Sequence, residues 1–263
     1  MTLSRWFCLT VLLLLPPTVA FPQSNADKGY DIARRAAERD SGYGDYQVSG
    51  KMILRDRGGR ESERRFDLRV LEGSDGDRTL LIFNWPGDIR DTALLTHAFE
   101  NRDDNQWLYL PAVRRVKRIS GSGRSGSFVG SEFAYEDMIN QDVDKFKYEW
   151  IADQPCPTAP QLTCHVIDRM PQYDSGYSRQ RVALDTDQLR ALMVQYFDRS
   201  GKNVKTLTAA GYRQYKGRYW RADIMRMVNH QTGNSSDMIW SDYKFDVGLV
   251  EPQFSVNALQ NVR

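Results

Sequence analysis

Period-two alternation of apolar and polar residues, broken at short intervals by turn residues, runs through residues 46–245. This pattern limits the chain more than any other feature. Residues 46–54 and 64–72 flank Arg57-Gly58-Gly59-Arg60, and the Gly-Gly pair suits a tight hairpin turn. Strand-like runs follow at residues 78–85, 91–99, 106–110 and 114–119. After a Gly/Ser-rich stretch they resume at 145–151, 164–169, 178–185, 191–198, 204–212, 219–229 and 237–245. Asp185-Thr186-Asp187 and Arg199-Ser200-Gly201-Lys202 are turns between them. Helices do not alternate with strands, which argues against a parallel α/β sheet. The economical solution is an antiparallel sheet, strongly curved or partly closed. With no internal repeat and no interdomain linker, residues 21–263 are expected to form a single β domain.

Two segments precede or interrupt the strands. Residues 25–40 predict an amphipathic helix, with Ile32, Ala33, Ala36 and Ala37 on one face and Arg34, Arg35, Glu38 and Arg39 on the other; Ser41-Gly42-Tyr43-Gly44 ends it. Residues 131–140 predict a helical turn or short helix, with Glu132, Glu136 and Asp137 near its start.

Residues 1–20 read as a secretory signal. Arg5 gives the positive start, residues 6–15 an apolar run, Pro16-Pro17 its end, and Thr18-Val19-Ala20 a cleavage site after Ala20. The run is shorter than the about 20 residues a membrane helix needs; a retained anchor is the alternative reading. Cys8 lies inside the run, so no cysteine is placed for lipidation, and a soluble periplasmic product is expected. Lys+Arg number 36 and Asp+Glu 34, and loss of Arg5 brings them nearer equality, which argues against bulk binding to nucleic acid. Cleavage leaves Cys156 and Cys164, an even, closely spaced pair that reads as a disulfide in an oxidising compartment. Closing so short a loop contributes about 2–3 kcal/mol by chain entropy. His165 is adjacent, but no second His or Cys joins it to make a four-ligand metal site, and no cofactor is expected.

Residues 106–138 carry the specific signal. They contain Trp107-x-Tyr109-x-Pro111, the basic run Arg114, Arg115, Lys117 and Arg118, and a Gly-Ser-Phe-x-Gly-Ser-x-Phe-x-Tyr-Glu-Asp element at 126–137. Together with Ser241-Asp242-Tyr243-Lys244-Phe245 and the Phe254, Ser255, Ala258 and Leu259 pattern, this stretch closely resembles the periplasmic family of outer-membrane lipoprotein-sorting proteins, relatives of the LolA/LolB-type carriers. The resemblance implies an incomplete antiparallel β-barrel covered by short α-helical lids, with an apolar space that holds acyl chains in LolA-type relatives. It also implies lipid or lipoprotein cargo, transient membrane contact and, for this branch, a resistance-nodulation-division (RND) exporter as partner.

A lipid carrier needs an apolar cavity, a rim that tolerates head groups and a lid. Each buried methylene contributes about 0.8 kcal/mol, so acyl chains bind without specific polar contacts. Candidates for ligand contact are Phe83, Trp85, Trp107, Tyr109, Phe128, Phe133 and Tyr135, with Trp150 as a further lining aromatic; each could equally fill a packed core. Arg114, Arg115 and Arg118, with Lys117, could hold a phosphate or carboxylate head group. They could instead form a charged, solvated edge strand, or be clamped by Glu132, Glu136 and Asp137. Alternation would put Arg115 and Lys117 on one face and Arg114, Val116 and Arg118 on the other. The glycines of 121–130 suit a moving lid, but lack the Gly-Lys-Ser/Thr ending of a phosphate loop and the spacing of a nucleophile elbow. His97, His165 and His230 sit in no catalytic motif, and the pairs Asp103-Asp104 and Glu136-Asp137 read as surface carboxylates, so no enzyme is expected. The rival to a carrier is a docking module of an envelope exporter, with a filled core.

Overall fold

The computed structural model describes residues 23–100, 102–139 and 142–261. The expected signal at 1–20, with Arg5 and Cys8, lies outside these residues. Helix α1 spans Asn25–Arg39. Ser24 caps it by accepting the Asp27 amide at 3.1 Å, and Asp27 and Arg39 at its two ends complement the helix dipole. The strands are β1 Asp45–Arg55, β2 Glu61–Leu71, β3 Arg78–Trp85, β4 Ala93–His97, β5 Asn105–Leu110, β6 Arg115–Ile119, β7 Phe146–Cys156, β8 Ala159–Pro171, β9 Arg179–Asp185, β10 Ala191–Phe197, β11 Asn203–Ala210, β12 Arg213–Tyr215, β13 Tyr219–Arg221, β14 Ile224–Asn229 and β15 Ser235–Phe245.

Thirteen strands form one antiparallel sheet, in the order β6-β5-β4-β3-β2-β1-β15-β14-β11-β10-β9-β8-β7. Each overlaps one of the runs read from the alternation. The topology is two meanders joined in the middle. β1 to β6 step outward to one edge; the chain then crosses to the other edge, and β7 to β15 step back until β15 pairs with β1, Met52 opposite Met238. β12 and β13 pair apart from this sheet as a small hairpin. The run read at 219–229 is therefore two strands, β13 and β14, belonging to different sheets. β7 and β8 also extend further than their alternation suggested, through Pro155 to Cys156 and from Ala159.

The sheet is strongly curved. β3 and β10 stand six strand steps apart, so a flat sheet would separate them by roughly 29 Å. Yet Leu81 of β3 and Val194 of β10 line one cavity. The inner face carries one apolar cluster with members from α1 (Ile32), from both meanders (Met52, Phe66, Phe83, Val182, Met227) and from the crossover (Phe128, Phe133). On the outer face, Leu80, Ile82, Leu95 and Tyr109 are covered by Phe254 and Leu259 of the C-terminal segment. Asp168 also lies on that face, where Arg181 grips it at 2.7 and 2.9 Å. Burial would raise its carboxyl, but Arg181 and Arg179 hold it below the usual range.

α1 closes over β7 because Gly29 lets the backbones meet. A Cβ there would lie 2.8 Å from the Trp150 amide nitrogen. The short α-helical lids reduce, among the described residues, to this one α-helix; the other helical pieces are 3-10 turns, and the turn expected within 131–140 spans Tyr135–Met138. The Cys156–Cys164 disulfide forms across the end of the β7–β8 hairpin, within a small cluster containing Val166 and Ala183. No helix among the described residues is long and apolar enough to cross a membrane.

Candidate ligand cavity

The side chains on the inner face grade in size along the strands. On β2 the sequence is Val70, Leu68, Phe66; on β3, Thr79, Leu81, Phe83; on β10, past a bulge, Ala191, Val194, Tyr196. At the aromatic end the rings close the space: Phe66–Phe83 and Phe83–Phe128 centroids are both 5.8 Å apart, and Phe128–Tyr135 5.6 Å. At the small end they do not. Two adjoining lobes open there, of about 370 and 960 Å³, sharing Tyr43, Ala191, Val194, Tyr212, Trp220 and Met225. Both volumes fit the range of small-molecule sites. The smaller lobe has mainly apolar walls, among them Leu68, Leu81, Phe133, Leu207, Met238 and Trp240. The larger lies under Ala33, Ala36 and Ala37 of α1 and over Ile167, Val182 and Leu184. The alanines seat the helix but are too small to fill the space beneath it.

The mouth is polar and tied across. Arg221 of β13 pairs with Asp40 at the end of α1, and Tyr219 donates to the Gly42 carbonyl at 2.6 Å. Arg218 donates to the Glu38 carbonyl at 2.9 Å. The Arg221 guanidinium also stacks near Tyr46 and Tyr43, 5.4 and 5.6 Å from their ring centroids. Burial lifts the Asp40 carboxyl, with Arg221 opposing, and pushes the Tyr46 hydroxyl up to about 12. Tyr43 donates to Asp77 at 2.7 Å where the lobes meet. The hairpin β12–β13 thus straps the helix end to the sheet through these polar contacts and through Tyr219, which packs with Tyr43 and Val70.

The crossover supplies one wall. Phe133, Asp137, Met138 and Ile139 line the smaller lobe. Asp137 accepts from the Ala134 amide at 2.7 Å and from the Tyr177 hydroxyl at 3.1 Å, and Lys205 reaches that hydroxyl at 3.3 Å. Burial raises the Asp137 carboxyl to about 6, with Lys205 opposing. Glu136, 3% exposed, accepts from Ser175 at 2.6 Å and from the Gly176 amide at 3.0 Å. Glu132 accepts from Asn229 at 2.6 Å. These acids therefore anchor the crossover to the second meander. The pair read as surface carboxylates is built in, and Asp104 too is buried, held by Lys145 at 2.5 Å.

The structure disperses the residues singled out in the sequence. Phe83 and Phe128 are fully buried in the central core, and Tyr135 packs against it. Trp107 and Tyr109 face outward, under the C-terminal segment, with Trp107 against His97 at 5.0 Å. Trp85 is 42% exposed, beside the Arg65 guanidinium. Trp150 lies under Lys28, 3.4 Å from its ring centroid. Phe133 alone among them borders the cavity. Arg115 and Lys117 are exposed on β6, a free edge of the sheet, and Arg118 donates to Asn105 at 2.5 Å. Arg114 lies outside the strand in a left-handed turn, so the alternation does not extend to it. The glycine-rich stretch is folded into 3-10 turns, fastened by Phe128 and by the Tyr135 amide donating to the Gly126 carbonyl at 3.1 Å. Beside Tyr43, Tyr212, Trp220 and Trp240, the residues that do border the cavity include Ala191, Val194, Met225 and the α1 alanines, which are small or aliphatic. Their one signal in the sequence is a helix face too small to fill a core.

A family profile described as "Uncharacterized protein" matches residues 75–261. No curated protein matches. An outer-membrane lipoprotein-sorting protein domain from Vibrio parahaemolyticus is 43% identical, with a TM-score of 0.86 over 90% of this chain and 100% of that one. A DUF1329 family protein from Desulfovibrio piger is 30% identical, with a TM-score of 0.83 over 90% of this chain and 99% of that one. A LolA superfamily protein from Nitrosomonas europaea, at 16% identity, shares the fold with a TM-score of 0.70 over 88% of this chain and 98% of that one. The curved, unclosed sheet is thus the LolA-like fold, and the chain belongs to the family of the DUF1329 and outer-membrane lipoprotein-sorting domain proteins.

Proposed function

We propose that the protein is a periplasmic carrier that takes the apolar part of a lipid, or the acyl chains of a lipoprotein, into the two-lobed cavity and exchanges it with a membrane partner. The observation that carries the reading is the cavity itself: the inner face has apolar walls at the end where its side chains are small, beneath a helix and a strap joined by polar contacts. A docking module has no use for that space. The lipoprotein-sorting relative and the signal read at residues 1–20 support the periplasm as the place of work. An RND exporter is the membrane partner that the family resemblance suggests. The reading assigns no reaction to the chain.

Native mass spectrometry with lipid extraction, on protein purified from periplasm without detergent, tests it. The expected result is bound lipid at defined stoichiometry, lost in Ala191→Trp, which fills the shared wall of the lobes. A clean apo mass, with no uptake when lipids are offered, overturns the carrier and favours the docking module.

A further inference from the structure

Most arginines around the cavity are engaged with the protein. Arg39 donates to the Asp187 carbonyl at 2.6 Å, Arg190 to Asp185 at 2.8 Å and Arg218 to the Glu38 carbonyl at 2.9 Å, while Arg221 pairs with Asp40. Arg169 differs. It stands on β8 two positions after Ile167, and both residues line the larger lobe. Its Nε donates to Gln180 at 2.8 Å, and its guanidinium lies 5.0 Å from the Phe146 ring centroid. Its two terminal nitrogens have no hydrogen-bond partner among the described residues, and no carboxylate pairs with it there. Its strand neighbour Asp168 is held on the other face of the sheet by Arg179 and Arg181. Asp142, an acid of the same lobe, is lifted above the usual carboxylate range by burial. The charge of Arg169 is felt by the hydroxyls of Tyr148, Tyr173 and Tyr196, where it opposes the upward push of burial. Arg169 therefore sits where aliphatic lining gives way to tyrosines, with Val182 and Leu184 on the neighbouring strand.

A guanidinium with open N–H donors at the boundary of an apolar cavity fits a carboxylate or phosphate oxygen pair. We propose that the cargo is an anionic amphiphile, whose head-group anion is held by the terminal nitrogens of Arg169 while its alkyl chain lies along Ile167, Val182, Leu184 and Val194. This rests on the carrier reading and narrows it to a class of ligand.

Three ligands with the same alkyl chain separate the two claims: palmitate, hexadecyl phosphate and the neutral hexadecanol, each titrated into the delipidated full chain by calorimetry. An anionic head should bind about tenfold tighter than the alcohol or better, as a charge-assisted hydrogen-bonded pair implies. Preference for palmitate identifies a free carboxylate as the head group, and preference for hexadecyl phosphate a phosphate; either supports the proposal. Arg169→Gln should bring the anion down to the affinity of the alcohol and leave hexadecanol unchanged, and Arg169→Lys should retain part of the preference. Equal binding of all three by the unaltered protein overturns the Arg169 assignment and leaves the carrier standing. Binding of none overturns both. The comparison within the unaltered protein keeps the proposal falsifiable if the variants do not fold.

Discussion

At one end of the inner face, Phe66 and Phe83 meet ring to ring and Phe128 of the crossover joins them; at the other, Val70 and Thr79 on the same two strands, with Ala191 of β10, leave the space that becomes the cavity. Both ends obey the same alternation and lie under the same curved sheet. They differ in side-chain volume. Sheet curvature fixes the room between the walls, so whether that room is packed or left as a cavity is decided residue by residue. A fold of this kind can keep a rigid, well-packed end as foundation while the other end specialises.

The strongest way to break the contrast is to open the packed end. Phe83→Ala should cost about 3–5 kcal/mol in chemical denaturation, because a ring with no exposure leaves a hole that its neighbours only partly fill. A loss below about 1 kcal/mol would mean that this end is as loose as the other. Next comes the covalent tie on the meander beneath the larger lobe. Replacing Cys156 and Cys164 by serine should cost about 2–3 kcal/mol for so short a loop, read from the thermal midpoint.

Asp137, at the seam between the crossover and the smaller lobe, gives a pH signature. Its carboxyl is raised from 3.8 to about 6, so folding favours the protonated form. The associated stability is present below the unfolded value and is lost as pH rises through the folded one, after which it changes no further. Asp137→Asn should flatten the stability profile between those two values; an unchanged slope there would refute the assignment. At the open end, Ala191→Trp should alter stability by less than about 1 kcal/mol while abolishing lipid uptake, since the added ring enters existing space and does not crowd a packed core. A loss as large as that of Phe83→Ala would show the cavity end to be tightly packed after all. Smallest of all, Trp85→Ala at its exposed site should stay within about 0.5 kcal/mol.

The strands were legible because a half-buried sheet imposes period two on the sequence, and every strand of the large sheet has its run. β12 was not, since three residues carry no period. Helix α1 was read almost to its ends, and the cysteine pair correctly. The cavity was hidden for a different reason. Alternation records whether a residue is apolar, not how large it is, and the aromatics that drew notice are the side chains that fill space. Val70, Leu68 and Phe66 score alike as inward residues although only the last closes the core. The lining also gathers α1, β3, β10 and the crossover, which come together only through curvature. Glu136 and Asp137 misled for a related reason: their partners Ser175, Gly176 and Tyr177 are brought to them by the crossover, not by neighbouring sequence.

The pairing of β1 with β15 has a consequence for how the molecule is assembled. Each meander is built from neighbours in sequence, so its hairpins can form early and independently. The seam between them, Tyr46 to Arg55 against Ser235 to Phe245, joins opposite ends of the chain and must bear the loop-closure cost of nearly everything in between. Until it zips, β1 and β15 are both bare edges with apolar faces, open to pairing with other chains. The most vulnerable interval in the life of this protein therefore falls between the completion of its two halves and their union, when it depends on being kept apart from its own copies.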